Sequence, residues 1–125
     1  MSQRYVVLLR GDEAAWDAAD EQTRAAAYED HGAFAEECAR RGHVVVGGEE
    51  LQAAASALVV RRTPAADDGR GELDDVTVTE GPYVETAEQL GGYYVVETDD
   101  VQDLARLVRT IMWPGDVVEL RPVAS

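Results

Sequence analysis

The stretch VTVTEGPYVETAEQLGGYYVVE, Val76–Glu97, constrains the backbone more than any other part of the chain. Gly81–Pro82 should end a preceding strand, because a residue before proline is restricted to extended or turn conformations. Thr86 and Gln89 have the Ser/Thr-x-x-Glu/Gln spacing of a capped helical turn, which Gly91–Gly92 would then stop. The β-branched and aromatic residues after the glycines predict the next strand.

The residues before this stretch predict a strand, a long helix and a second strand. Tyr5–Leu9 is a continuous apolar run, typical of a strand that is covered on both faces. Helical spacing runs from about Glu21 to Arg41, and Gly42 follows where a helix stop belongs. Val44–Val46 has the composition of the next strand.

The later part of the chain predicts a hairpin and a second helix. Ala57–Arg62 and Val76–Thr79 read as paired strands, and their connection, Thr63–Asp75, has the Pro, Gly and Asp content of an exposed, mobile loop. Apolar residues recur at helical spacing between Val101 and Met112, directly after two aspartates that are candidate caps. A final apolar segment predicts the last strand.

This order of elements predicts one α+β domain over residues 1–125, with both helices on one face of a mostly antiparallel, ferredoxin-like sheet. The strands at Tyr5–Leu9 and Tyr93–Val96 carry apolar or aromatic residues on both faces. The second face therefore needs a cover. A second copy related by two-fold symmetry is the simplest one, which predicts a homodimer, and loops of the same chain are the alternative.

The composition limits the partners and the compartment. With 25 acidic and 11 basic residues the net charge is −14, which repels nucleic acid and anionic membrane surfaces. No apolar run reaches transmembrane length, and the first ten residues resemble a strand more than a signal peptide. The single cysteine, Cys38, is typical of the reducing cytoplasm. The Cys and His spacings match no metal site, and no glycine-rich phosphate loop is present, so neither metal nor cofactor is expected.

Residues Glu80–Tyr83, Glu-Gly-Pro-Tyr, resemble the Asp-Gly-Pro-Phe motif for which one branch of the YCII-related family, the DGPF-domain branch, is named. The resemblance continues through the opening strand, the turn Gly11–Trp16, the helix that contains His31 and the closing segment Val118–Pro122. The first and last residues of the motif depart from the family pattern, and Ala87 stands where many members have Lys. The resemblance implies a ferredoxin-like sandwich that dimerises into an α+β barrel.

His31 is the main candidate for chemistry. Helical geometry places it at the centre of the buried stripe of the first helix, facing the sheet. There it is either a proton shuttle tuned by a carboxylate, or a core histidine bonded to a backbone carbonyl or a tyrosine. The resemblance adds that a histidine on the first helix is the family's proposed acid/base residue. Some members pair it with an Asp before a Pro, but Trp113–Pro114 stands at that place here, so only His31 transfers.

Two carboxylates are candidates to orient His31. Glu80 ends a strand beside a sharp turn, where it either faces a cleft or accepts backbone N–H groups within the turn. Asp12, at the end of the first strand, either faces the same cleft or caps the turn before Trp16.

Three tyrosines, Tyr83, Tyr93 and Tyr94, are candidates to line a ligand pocket, and strand packing is the alternative for each of them. Cys38 is expected to be an inert core residue. His43 is expected to be exposed at a helix end.

Two classes of function fit these residues. The first is a small dimeric enzyme, a lyase or isomerase that uses His31 as acid/base in an aromatic pocket. The second is a non-catalytic small-ligand-binding or regulatory module, because relatives of this branch are associated with sigma-factor domains. The negative charge argues against direct DNA binding in either case. A dimer whose pocket is only structural is the third reading.

Overall fold

The computed structural model describes residues 2–62 and 75–124. They form two compact units, the first comprising residues 2–51 and 87–124 and the second residues 52–62 and 75–86. The predicted connection Thr63–Asp75 lies outside the described residues except for Asp75. No helix of the described residues is long and apolar enough to cross a membrane.

The described residues form six strands and three α-helices, so the α+β prediction is confirmed. In chain order they are β1 (Gln3–Asp12), α1 (Glu13–Ala18), α2 (Glu21–Arg40), β2 (Val44–Glu50), β3 (Leu58–Arg62), β4 (Val76–Glu80), β5 (Glu88–Thr98), α3 (Val101–Leu107) and β6 (Val117–Pro122). The first unit holds a four-stranded sheet of order β2-β5-β1-β6, in which every neighbouring pair is antiparallel.

Both longer helices begin at the caps that local chemistry predicts, and α2 also ends where predicted. The Asp20 carboxylate accepts the Thr23 N–H at 2.7 Å and caps α2, and Gly42 has φ +84°, a conformation that glycine adopts without strain. The Asp100 carboxylate caps α3 in the same way. The predicted second helix is α-helical only as far as Leu107 and continues as a 3-10 turn, Val108–Ile111.

The predicted capped turn at Thr86–Gln89 is wrong. Glu88 and Gln89 already belong to β5, where they pair with Asp12 and Gly11 of β1. The glycines that were expected to stop the turn instead lie inside the strand, and a Cβ on Gly92 would come within 3.0 Å of the Glu49 carbonyl oxygen. They therefore permit close approach of β2, and sheet pairing overrides the local capping signal.

The core shows that α2 and α3 pack on the same face of the sheet. Its buried side chains come from two strands, from α2 and from the α3 segment: Val7, Val96, Phe34, Cys38, Leu104, Leu107 and Val108. Side chains alternate between the two faces of a strand, so the neighbours of Val7 and Val96 lie on the opposite, helix-free face. The prediction that both helices cover one face is confirmed.

The second unit is the predicted hairpin. β3 and β4 pair antiparallel from Leu58 opposite Glu80 to Arg62 opposite Val76. Gly81 leaves β4 with φ +105° and donates its N–H to the Ala57 carbonyl at 2.8 Å. The turn predicted at Gly81–Pro82 therefore forms where a residue other than glycine would be strained.

Candidate functional site

His31 lies half-buried on the side of α2 that faces the sheet, and it bonds to a tyrosine of β5. Its Nδ1 is 2.6 Å from the Tyr94 hydroxyl, and the two ring centroids are 5.8 Å apart. Tyr94 also packs against Phe34, one helical turn further along α2, with centroids 5.4 Å apart. The helical phase of His31 thus leads to a hydroxyl partner on the sheet.

Tyr94 reaches this position because the neighbouring strand has no side chain beneath it. Gly48 of β2 pairs with Tyr94, and a Cβ on Gly48 would lie 2.8 Å from Cδ1 of the tyrosine ring. That distance is shorter than any ordinary carbon contact, so the ring occupies the space of a missing side chain. A glycine in β2 therefore helps to position the hydroxyl that bonds His31.

The His31–Tyr94 pair is held in its neutral form. Burial lowers the pKa of His31, while the nearby charges of Glu50 and Asp30 raise it by less. Burial also raises the pKa of the Tyr94 hydroxyl. When Nδ1–H of the neutral imidazole donates to the Tyr94 oxygen, Nε2 keeps its lone pair and can accept a proton, as a general base requires at neutral pH.

A model of the YCII-related domain matches residues 3–124. The chain belongs to the YCII-related family. No curated protein is similar enough to match. The YCII-related match spans both compact units, so the hairpin lies within the family's domain.

Asp12 takes the structural role that the sequence left open for it. Its carboxylate accepts the N–H groups of Ala14 and Ala15, at 2.9 and 3.3 Å, and caps α1 of this YCII-related chain. Burial raises the pKa of the Asp116 carboxyl, the Trp113 N–H lowers it by less, and the charge of Asp12 adds a smaller increase. The two charges that act on His31 are instead those of Glu50 and Asp30.

Two of the other predicted site residues, Glu80 and Tyr83, belong to the second unit. Glu80 is the exposed last residue of β4 in the second unit. Tyr83 follows it, 77% exposed, with the Arg61 guanidinium 5.8 Å from its ring centroid. Tyr93 faces the helix-free side of the sheet, because it is adjacent to Tyr94 in β5. Of the predicted set, the first unit brings together His31 and Tyr94.

Asp116 is a carboxylate that the sequence did not single out. It follows Trp113–Pro114, the place where some YCII-related members carry an Asp, and its Oδ2 accepts the Trp113 N–H at 2.8 Å. Its Oδ1 occupies the space above Gly11, where a Cβ would lie 2.7 Å away. The signal that could have located it is its position two residues after the proline.

The prediction that His43 is exposed is wrong. His43 is 2% exposed, with Nδ1 2.7 Å from the Thr98 hydroxyl and Nε2 2.8 Å from the Asp103 carboxylate. Arg41 also bonds to Asp103, at 3.0 Å. Gly42 ends α2, and His43, the residue just before β2, bonds to Asp103 of α3, a long-range contact that no local pattern reveals.

Cys38 is buried core, and burial raises the pKa of its thiol to about 11, so it is a poor nucleophile. Among residues 2–62 and 75–124 no group of three or more His, Cys, Asp or Glu side chains is arranged to hold a metal ion.

Proposed function

We propose that this YCII-related chain, which we place in the Asp-Gly-Pro-Phe branch, is a small homodimeric enzyme. In the proposed reaction, of lyase or isomerase type, His31 transfers a proton to and from a small carbon acid. The observation that carries the proposal is the 2.6 Å bond between His31 Nδ1 and the Tyr94 hydroxyl, which fixes the ring while Nε2 has no partner among the described residues.

The chemistry follows from the two ring nitrogens. Nε2 of neutral His31 takes a proton from carbon next to a carbonyl, which leaves an enolate on the substrate. The imidazolium that forms donates its Nδ1–H to the Tyr94 oxygen, so the new charge is partly stabilised. Nε2 then returns the proton to another carbon in an isomerase, or to the leaving group in a lyase.

The test is hydrogen exchange at carbon. The protein is incubated in D2O with a panel of α-keto acids, lactones and enones, and loss of C–H signal is followed by NMR. We expect His31→Ala to slow any catalysed exchange by about 10²–10⁴-fold, the usual contribution of a general base. Glu49→Gln, on the neighbouring strand, is the matched control and should retain the rate. A panel without exchange, or exchange that His31→Ala leaves unchanged, contradicts the enzyme proposal.

The homodimer is proposed to form through the helix-free face of a ferredoxin-like sheet, whose order β2-β5-β1-β6 is the order of that fold. The apolar side chains of this face are half-buried or exposed within one chain: Val6, Leu8, Val44, Tyr93, Val95 and Val117. A face of this kind is stable when a second copy covers it, and obligate interfaces bury more than about 2,000 Å².

Light scattering tests this assembly. The parent chain should have twice the monomer mass at micromolar concentration, and Leu8→Lys should shift it to the monomer, because a charge would be buried at the centre of the interface. Ala39→Lys, on an exposed position of α2, is the control. A monomeric parent chain contradicts the dimer and leaves the proton-transfer test intact.

A non-catalytic ligand-binding or regulatory module, associated with sigma-factor control, is the second candidate. It is favoured by one observation: the His31 bond to a tyrosine is also what a packed core histidine makes. In that case His31→Ala should lower the free energy of unfolding by about 1–3 kcal/mol with no functional readout. The single cysteine supports a cytoplasmic location for either candidate.

A further inference from the structure

Two side chains of α2 bond to the sheet side by side. Tyr28 precedes His31 by three residues, so the two share a face of the helix about one turn, roughly 5 Å, apart. The Tyr28 hydroxyl lies 2.9 and 3.1 Å from the two carboxylate oxygens of Glu50, at the end of β2. His31 makes the parallel bond to Tyr94.

The sheet places the two partners on the same face. Gly48 pairs with Tyr94 and Glu50 pairs with Gly92, so Glu50 is two residues beyond Gly48 and points to the same side of β2. Since Gly48 has no side chain, nothing on that face of β2 separates Glu50 from the Tyr94 ring. The helix spacing and the strand spacing therefore place the Glu50 carboxylate on the same side of the sheet as the imidazole, on which its charge acts.

We propose that Glu50, held in place by the Tyr28 hydroxyl, is the carboxylate that positions His31 and stabilises its protonated form. Asp12, one of the two carboxylates predicted to orient His31, instead caps α1. The inference rests on the proposed function, since it names the residue that supports His31 when the ring takes up a proton. Glu50 touches no reacting atom and acts through its charge, so it is a positioning residue.

The surrounding groups agree with this assignment. Burial lowers the pKa of His31, and the charge of Glu50 opposes this effect more strongly than that of Asp30 on α2. The Glu50 carboxylate raises the pKa of Tyr28, so the phenol stays protonated and continues to donate. From β5 the facing group is the neutral Tyr94 hydroxyl. Arg24, the nearby cation, donates to the Trp16 and Asp17 carbonyls, at 3.0 and 2.7 Å.

The experiment is an NMR titration of the His31 imidazole in the full-length protein. The chain has two histidines, so the His31 signal is the one that His31→Gln removes. We expect the pKa of His31 to fall in Glu50→Gln, and the fall to shrink in high salt, because a partly exposed charge is screened. Tyr28→Phe keeps the Glu50 charge but removes the hydroxyl that holds the carboxylate in place. The pKa of His31 should therefore fall in this variant too, but by less than in Glu50→Gln.

Glu49→Gln is the matched control, because it removes the same charge one residue away, where the side chain points to the other face of β2. If Glu50→Gln and Glu49→Gln shift the pKa of His31 equally, the inference is overturned. Circular dichroism and melting of each variant confirm that the fold persists.

The two proposals can fail separately. Where exchange activity is found, Glu50→Gln should move the lower limb of its pH–rate profile to lower pH, whereas His31→Ala should abolish it. Activity lost in His31→Ala with an unmoved profile in Glu50→Gln overturns the inference and leaves the proposed function standing. If the pKa of His31 responds to Glu50→Gln but the protein has no exchange activity, the proposed function is contradicted and the inference about Glu50 stands.

Discussion

Thr98→Val tests the buried hydrogen-bond network around His43. Thr98 is 3% exposed, and its hydroxyl oxygen accepts the Asp100 N–H at 2.9 Å. The Asp103 carboxylate can only accept, so His43 Nε2 carries the proton, and Nδ1 of the neutral ring then accepts from the Thr98 hydroxyl at 2.7 Å. Val has the same shape and a higher strand preference, so any loss reflects the hydroxyl and not the backbone. The change leaves the Nδ1 lone pair of a nearly inaccessible ring without a donor.

The size of the loss follows from these contacts. An unsatisfied buried acceptor costs about 1–3 kcal/mol, and the exposed Asp100 N–H adds little because water can replace the hydroxyl. The methyl group that replaces the hydroxyl is buried, which offsets less than ~1 kcal/mol of this loss. We therefore expect the free energy of unfolding to fall by about 2 kcal/mol, which lowers Tm by roughly 6–8 °C in a chain of this size.

Urea denaturation and calorimetry at one fixed protein concentration measure the loss, since association contributes to apparent stability. Thr77→Val, at an exposed position of β4, is the control and should stay within about 0.5 kcal/mol of the parent chain. A Thr98→Val variant as stable as Thr77→Val would refute the reasoning, because His43 Nδ1 would then not depend on the hydroxyl.

Three further predictions concern the first unit. The hydrogen bond from His43 lowers the pKa of Asp103. The ionised Asp103 therefore stabilises the fold above the usual carboxyl pKa of about 4, and this contribution is lost as pH falls. The difference in Tm between the parent chain and Asp103→Asn should close below about pH 3. Gly48→Ala should destabilise by about 2 kcal/mol, because its Cβ would meet a carbonyl oxygen at 2.6 Å, whereas Gly47→Ala has nothing within 4 Å and should lose under ~1 kcal/mol; equal losses would contradict the close packing. Cys38, with its pKa raised by burial, should react with a disulfide reagent only after unfolding, and rapid labelling of the native protein would show that the core opens.

The sequence predicts well those elements whose signals are local. The helix Glu21–Arg40 was predicted to within one residue, because its apolar spacing and the following Gly42 act within a few residues of each other. The hairpin was predicted for the same reason. The turn at Thr86–Gln89 was mispredicted because its capping pattern competes with pairing to β1, a strand some eighty residues earlier in the chain.

The candidate site was predicted in part for a related reason. The position of His31 in the helical repeat of α2 determines which way its side chain faces, so the sequence alone could predict that it faces the sheet. The choice among carboxylates depends on which strand lies beside β5, and the sequence does not state that order. Glu50 and Tyr94 lie on the same face because β2 pairs with β5, and Gly48, opposite Tyr94, has no side chain to fill the space above it.

The two histidines show why one is a candidate for chemistry and the other is not. Both bond to a hydroxyl of β5 through Nδ1, at 2.6 Å for His31 and 2.7 Å for His43. The second nitrogen of His43 is taken by Asp103, and the ring is almost fully buried, so neither nitrogen is available to a ligand. His31 is only half-buried, and the hydrogen-bond partner of its ring within residues 2–62 and 75–124 is the Tyr94 hydroxyl alone. Proton transfer by a histidine needs one ring nitrogen that is held by a hydrogen bond and a second that is open to the substrate. His31 meets that requirement, and His43 does not.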